Sequence, residues 1–128
     1  MTTDLTSLSI FEMQHGLRAG DFPCVELVEA YLARIQLLEP RIHAFITLLP
    51  EKAIAEAKAA DDRLGVARKT SHVDTLPALL GIPIAIKDLI TVRDVRCSCG
   101  SRVLGEWVSP FTATAVQNLI NAGAIIIG

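Results

Sequence analysis

This chain is poor in aromatics, with one Trp, one Tyr and four Phe in 128 residues. Its core must therefore be built from aliphatic side chains rather than ring stacks. Cysteine is scarce too. Cys24, Cys97 and Cys99 are an odd set, which argues against a closed disulfide framework. Cys97-x-Cys99 lacks the two-residue spacer of a zinc knuckle and has no second pair, so two small buried thiols are expected there. No run of Lys or Arg occurs, and the net charge is −2. That leaves no electrostatic footprint for direct nucleic-acid binding. The longest uncharged stretch, Trp107 to Gly128, is interrupted by Pro110, Gln117, Asn118 and Asn121, so no membrane span is expected. Met1-Thr2-Thr3-Asp4 has no positive region followed by an apolar one. It does not read as a secretory signal, and a cytoplasmic location is the expectation.

What is present is apolar. Hydrophobic residues make up 51% and charged residues 20%, with a mean hydropathy of +0.43. Those values are high for a freestanding soluble domain. With no membrane span, they suggest a core-rich slice of something larger. The length allows one domain or part of one.

Periodicity sorts the elements. Leu5 to Leu17 reads as a short amphipathic helix, with Leu8, Phe11 and His15 on related turns and Gly16 and Gly20 at its end. Asp21 and Pro23 mark a second helix, in which Val25, Val28, Leu32 and Ile35 form one apolar stripe. Pro40 is expected to stop it. Ile42 to Leu49 reads as a strand. Pro50 suits the first position of a third helix, with Ala53, Ala57, Ala60 and Leu64 as its stripe and Gly65 as its close. Arg68 to Thr75 reads as a polar surface loop, with His72 a loop residue rather than a ligand. Leu79 to Ile90 reads as a buried strand, and Val92 to Leu104 as a turn and a further strand. Ala113 to Ala122 reads as a helix with Val116, Leu119 and Ile120 inward and Gly123 as its cap. Ala124 to Ile127 is a short, wholly apolar strand. Helix and strand alternate, so the expected class is α/β, N-terminal helices followed by part of a mixed, helix-flanked β-sheet. The last strand finishes at Gly128 with apolar faces that need neighbours, which adds to the expectation of a fragment.

The residues with the most chemical content are Leu80-Gly81-Ile82-Pro83-Ile84-Ala85-Ile86-Lys87-Asp88. Ile82, Ile84 and Ile86 alternate as one face of a strand, which puts Lys87 on the other. A lysine held in an apolar surround loses solvation, so its neutral form is favoured and it can take a proton from a hydroxyl. The plainer alternative is a lysine that snorkels to water or pairs with Asp88. Ser98 and Ser101 lie close in sequence, but spacing alone does not make either a nucleophile for Lys87.

That block, with Cys97-Ser98-Cys99-Gly100-Ser101-Arg102-Val103-Leu104, Ala113-Thr114-Ala115-Val116 and Asn121-Ala122-Gly123-Ala124-Ile125-Ile126-Ile127-Gly128, resembles the amidase signature family in order and spacing. The helix Val25 to Ile35 resembles that family's N-terminal helix. Within the family, Ser101-Arg102-Val103-Leu104 and the late helix are most similar to the A subunits of glutamyl-tRNA(Gln) amidotransferases. The resemblance implies an N-terminal fragment, residues 1–128, of a single amidase domain. Residues 1–66 would be mostly helical with one strand, and residues 76–128 would begin the signature core.

The resemblance also implies a serine–serine–lysine mechanism that releases ammonia from an amide, glutamine in the amidotransferase case. Lys87 would be the catalytic lysine. Both serines belong to a Gly/Ser-rich segment that does not occur in residues 1–128. The isolated chain is therefore expected to be inactive, with Gly100 and Ser101 as a turn and a polar support for the lysine. Asp88 is expected to be a structural partner. Thr112 is expected to cap the late helix, and Trp107 and Phe111 to pack between the loop and that helix. No cofactor is expected in this chain, since ATP and Mg would be used by a partner subunit. The implied partners are an amide substrate and other amidotransferase subunits. A general small-amide amidase and a noncatalytic remnant remain as alternatives.

Overall fold

The computed structural model describes residues 4–128. Met1 to Thr3, part of the stretch read above for a signal, lie outside the described residues. The elements are helices α1 (Ile10–Ala19), α2 (Cys24–Ile42) and α3 (Pro50–Thr70), strand β1 (Pro83–Ile84), helix α4 (Thr114–Asn121) and strand β2 (Ile125–Ile126). Short 3₁₀ turns occupy Leu5–Ser7 and Val73–Thr75. The class is α/β, as expected. A helical N-terminal half packs against a small sheet whose two strands run parallel, with Pro83 opposite Ile125 and Ile84 opposite Ile126. The long connection between them carries α4. No helix among the described residues is long and apolar enough to cross a membrane.

The first helix starts later than its periodicity suggested. Ser9 caps it, accepting from the Glu12 N–H while the Glu12 carboxylate accepts from the Ser9 N–H, a reciprocal capping box. The buried face of the helix is Met13, Gly16 and Leu17, and Phe11 is 75% exposed. Gly16 thus lies inside the helix, and Gly20, in the left-handed region, ends it. Pro23 begins α2 but has no side-chain cap to offer. Asp61 of α3 supplies it instead, its two carboxylate oxygens accepting from the N–H groups of Cys24 (2.6 Å) and Val25 (3.0 Å). One carboxylate thereby satisfies two orphan donors and ties α2 to α3.

Pro40 does not stop α2, which runs on to Ile42. A proline this near the end costs little beyond one lost bond, and the left-handed backbone of His43 is what terminates the helix. Gly65 likewise does not close α3. It sits inside the helix, and Ser71 takes the left-handed cap. α3 therefore extends through Thr70, into what had read as loop. Pro50 is the first-turn proline, and Ala53, Ala57, Ala60 and Leu64 are all buried. With Leu27 and Val28 of α2, and with Leu80, Ile82, Ile125 and Ile127 from the sheet, they form one core. The alanines let α3 lie close over both α2 and the sheet. Val28 holds the expected α2 stripe, while Val25, Leu32 and Ile35 are half-buried and Leu27 is the residue the stripe missed.

The strands are shorter than expected. Residues 43–49 form an irregular passage, not a strand. They run past β2 with one ladder bond, Leu49 N–H to Ile127 O at 3.0 Å, and a strand needs a continuous ladder. In the stretch from 79 to 90 only Pro83 and Ile84 are strand, although parallel-type bonds extend beyond them: Ile125 N–H to Ile82 O, Ile127 N–H to Ile84 O and Ile86 N–H to Gly128 O. Between Val92 and Leu104 no strand forms among the described residues. An isolated antiparallel bridge joins Arg96 to Val108. Ala124 to Ile127 are all buried, as their composition suggested.

Two glycines set the entry to the sheet. Gly81 and Gly123 both have left-handed φ, and Gly81 N–H donates to Gly123 O at 3.0 Å. A Cβ on Gly123 would lie 2.7 Å from the Leu80 Cα, so only glycine permits this approach.

Candidate active site

In a parallel sheet, ligands bind beyond the carboxyl ends of the strands. Here both strands leave the core at the same end. Ile86, Lys87 and Asp88 follow β1, and Gly128 follows β2. Together with the irregular residues 44–47 and with Arg96, they line a cavity of about 120 Å³.

Lys87 belongs to this cavity, but its side chain is exposed. The apolar enclosure expected around it is not supplied by the described residues. Nor does it pair with Asp88, since no ion pair of Lys87 is found among the described residues. The isoleucines do face inward as their alternation required. Ile82 joins the main core, Ile86 packs with Val92, Val116 and Ile126 in a smaller one, and Ile84 touches both.

The backbone around Lys87 is closely held. Ile86 N–H donates to Gly128 O (2.9 Å), and Lys87 O accepts from Ile90 N–H (2.9 Å). Asp88 gathers the loop 97–100. Its carboxylate accepts from the Ser98 N–H (3.0 Å), from the Ser98 hydroxyl, and from the Gly100 N–H at 3.4 Å. Its carbonyl accepts from the Cys99 N–H (3.0 Å) and the Cys97 thiol (3.2 Å). The Ser98 hydroxyl and N–H, then the Gly100 N–H and the charge of Arg96, hold the Asp88 carboxyl below the usual range. Cys99 and Gly100 both take left-handed backbone, which turns the loop back onto that carboxylate.

Asp88 is thus the structural partner the sequence suggested, although its partner is Ser98 and not Lys87. Ser101, expected to support the lysine, instead accepts from the Val103 N–H at 3.2 Å. Neither serine hydroxyl bonds to Lys87 among the described contacts, and that of Ser98 is taken up by Asp88. The sequence did carry a signal for Ser98: it is polar between two cysteines, in a loop that must return to the strand end. Sequence spacing could not say which acceptor it would meet.

Three further expectations change. Cys97 is buried but Cys99 is exposed, so the pair is not two buried thiols. Trp107 and Phe111 meet edge to face, ring centres 6.5 Å apart, with 37% and 52% of their surfaces exposed rather than buried against α4. Thr112 does not cap α4. Its hydroxyl accepts from the Arg93 N–H at 2.9 Å, and Ala113 occupies the cap position without a side-chain bond. Cys24, deep in the core, donates its thiol to Gly81 O at 3.2 Å. Burial, aided by the Asp61 charge, pushes this thiol up to about 12. Among the described residues no three His, Cys, Asp or Glu side chains come together as a metal site.

The comparison that decides the family covers most of the chain: the sequence profile of the amidases matches residues 26–128. The chain belongs to the amidase family. It is 44% identical over 126 residues, 98% of its length, to the A subunit of the glutamyl-tRNA(Gln) amidotransferase of Chloroflexus aurantiacus. It is 42% identical over 120 residues, 94% of its length, to the corresponding protein of Alcanivorax borkumensis. These matches cover 25% and 24% of those proteins, so the chain spans about a quarter of the curated relatives it matches. The native peptide amidase of Stenotrophomonas maltophilia superposes with a TM-score of 0.80 at 32% identity, covering 95% of this chain and 24% of that one.

Proposed function

We propose that this amidase-family chain contributes the proton-accepting lysine, Lys87, to an enzyme that releases ammonia from the side-chain amide of glutamine. One observation carries the reading: Lys87 stands at the carboxyl end of a parallel strand pair, on a cavity, in a chain 44% identical to the A subunit of a glutamyl-tRNA(Gln) amidotransferase along nearly its whole length. In the serine–serine–lysine scheme, the lysine takes a proton through a bridging serine. A second serine attacks the amide carbonyl, ammonia leaves, and water releases the acid from the acyl-enzyme. Neither serine lies within residues 1–128, because no Gly/Ser-rich double-serine segment occurs there. Alone, the chain holds a base without a nucleophile and does not hydrolyse amides. The remaining enzyme would also complete the enclosure that Lys87 lacks here.

On this reading the chain works in the cytoplasm beside other amidotransferase subunits. ATP, Mg and tRNA fall to those subunits, which agrees with the absence of a basic run in this sequence. The likeness to a peptide amidase favours a second reading, an amidase of small amides.

The test is a graft, in which this chain replaces the aligned residues of the Chloroflexus aurantiacus protein. The graft is expected to release ammonia from glutamine, and Lys87→Ala to lower kcat by about 10²–10⁴-fold, the range of a lost general base. The free 128-residue chain is expected to release none. A graft that cleaves simple peptide amides but not glutamine selects the second reading. A folded graft whose rate ignores Lys87→Ala removes the lysine's role.

A further inference from the structure

We infer that Ser98 and Asp88 form a positioning pair that fixes the reacting amine of Lys87, an inference that rests on the amidase reading above. Lys87 presents a contrast: an exposed side chain, without a hydrogen bond or ion pair among the described residues, on a closely held backbone. The residue before it is held by Gly128 O. Its own carbonyl is held by the Ile90 N–H. The residue after it accepts five hydrogen bonds, all from residues 97–100.

Those five bonds do more than close a loop. Three go to the Asp88 carboxylate and two to its carbonyl, so side chain and main chain are both fixed, and Asp88 cannot rotate about either without releasing donors. Ser98 is the hub. It is 5% exposed, its N–H and hydroxyl take opposite oxygens of the carboxylate, and its hydroxyl oxygen also accepts from the Gly100 N–H at 3.2 Å. The peptide between Lys87 and Asp88 is consequently rigid. The place of the Lys87 backbone on the cavity rim is thus held by a serine eleven positions downstream.

The chemistry needs this. A proton relay works only when the amine lies within hydrogen-bond reach of the hydroxyl it serves, and an ångström of misplacement costs about 10²-fold in rate. A long, flexible lysine on a mobile strand end would not hold that reach. Arg96, which lines the same cavity, cannot substitute for the clamp. Its side chain is occupied by Gly105 O and, at 3.7 Å, by Glu106.

The experiment uses the grafted enzyme described above and reads kcat and KM for glutamine separately. Ser98→Ala is expected to lower kcat about 30- to 100-fold with KM changed less than threefold. Ser98→Thr, which keeps the hydroxyl, is expected to recover kcat to within about threefold of the unsubstituted graft. Asp88→Asn, which removes the charge while keeping the side-chain shape, is expected to reproduce the Ser98→Ala loss, and it stands in should the alanine graft not fold. Amide exchange of Cys99 and Gly100, measured by NMR on the 128-residue chain, is expected to quicken in Ser98→Ala and not in Ser98→Thr. Faster exchange at 99 and 100 with an unaltered kcat would reduce the cluster to a loop fastener and overturn the inference. So would a loss appearing in KM alone, or a threonine no better than alanine. Full activity of Lys87→Ala would instead strike the proposed function, so the two failures are told apart.

Discussion

The helical half and the loop that follows β1 are built on different physics. From Ile10 to Thr70 the chain is held by apolar packing: Leu17, Leu27, Val28, Leu64 and three alanines are buried against one another and against the sheet. From Ala85 to Ala113 there is little such packing. Val92 is buried, but Leu89, Val103, Val108 and Phe111 are all more than half exposed. What shapes this segment is a set of specific bonds. Asp94 N–H reaches Ser109 O, Ser109 N–H reaches Val95 O, Cys97 N–H reaches Trp107 O, Ala113 N–H reaches Thr91 O, and Asp88 gathers residues 97–100. Apolar packing is non-directional and distributes its energy over many contacts, whereas each of these bonds is local and directional. The first half is therefore a packed platform, and the second an edge shaped by individual hydrogen bonds.

The sharpest way to break this contrast is a matched pair of truncations. Leu27 is fully buried, and Leu27→Ala is expected to cost about 2–5 kcal/mol in urea unfolding. Val103 is 92% exposed, and Val103→Ala is expected to change stability by less than about 0.5 kcal/mol. Equal costs would mean that the loop is packed in solution as tightly as the helices.

A smaller effect tests the helical half from the other direction. Gly65 lies inside α3, and a Cβ there would meet nothing within 4 Å. Gly65→Ala is expected to raise the unfolding free energy by about 0.5–1 kcal/mol, through a helix that loses less backbone entropy on folding. A destabilised variant would show that the glycine serves a close contact after all.

The smallest effect concerns the loop and acid. The Asp88 carboxyl lies below its ordinary value of 3.8 in the folded chain, chiefly through Ser98. A lowered carboxyl contributes stability that is complete above the unfolded value and is lost as pH falls through the folded one. Because this group is near solvent, the contribution is small and local. Amide exchange at Ser98 and Gly100, extrapolated to a common intrinsic rate, is expected to accelerate below about pH 4 while that of Leu27 and Leu64 does not. Simultaneous release of all four would show that the loop opens only with the whole molecule.

The same division explains what could be read in advance. The stripe Ala53, Ala57, Ala60 and Leu64, the proline opening α3 and the buried run Ala124 to Ile127 all followed from spacing and composition, because helix and strand periods are local properties; the cap of α4 fell one residue early, on Ala122 rather than Gly123. Pro40 and Gly65 misled for the same reason. Pro40 stands close enough to the end of α2 to forfeit little more than one bond, and the roughly 1 kcal/mol that a glycine costs inside a helix is too small to end one as long as α3. Residues 42–49 had the composition of a strand without a ladder to join. At the site, the sequence found Lys87 and Asp88 as neighbours and the structure put both on the cavity. That Ser98, not Ser101, meets Asp88 depends on where a loop turns through Cys99 and Gly100, and no spacing rule contains that information.

By itself, then, the sequence determined the α/β class, the order of helices, the apolar faces that form the core and the family to which the chain belongs, since each is written in periodicity or in motif order. Tertiary structure alone decided the carboxylate of Asp61 capping α2, the exposure of the Lys87 side chain and the meeting of Ser98 with Asp88. Those depend on groups distant in sequence meeting at hydrogen-bond distance, and only the folded chain brings them together.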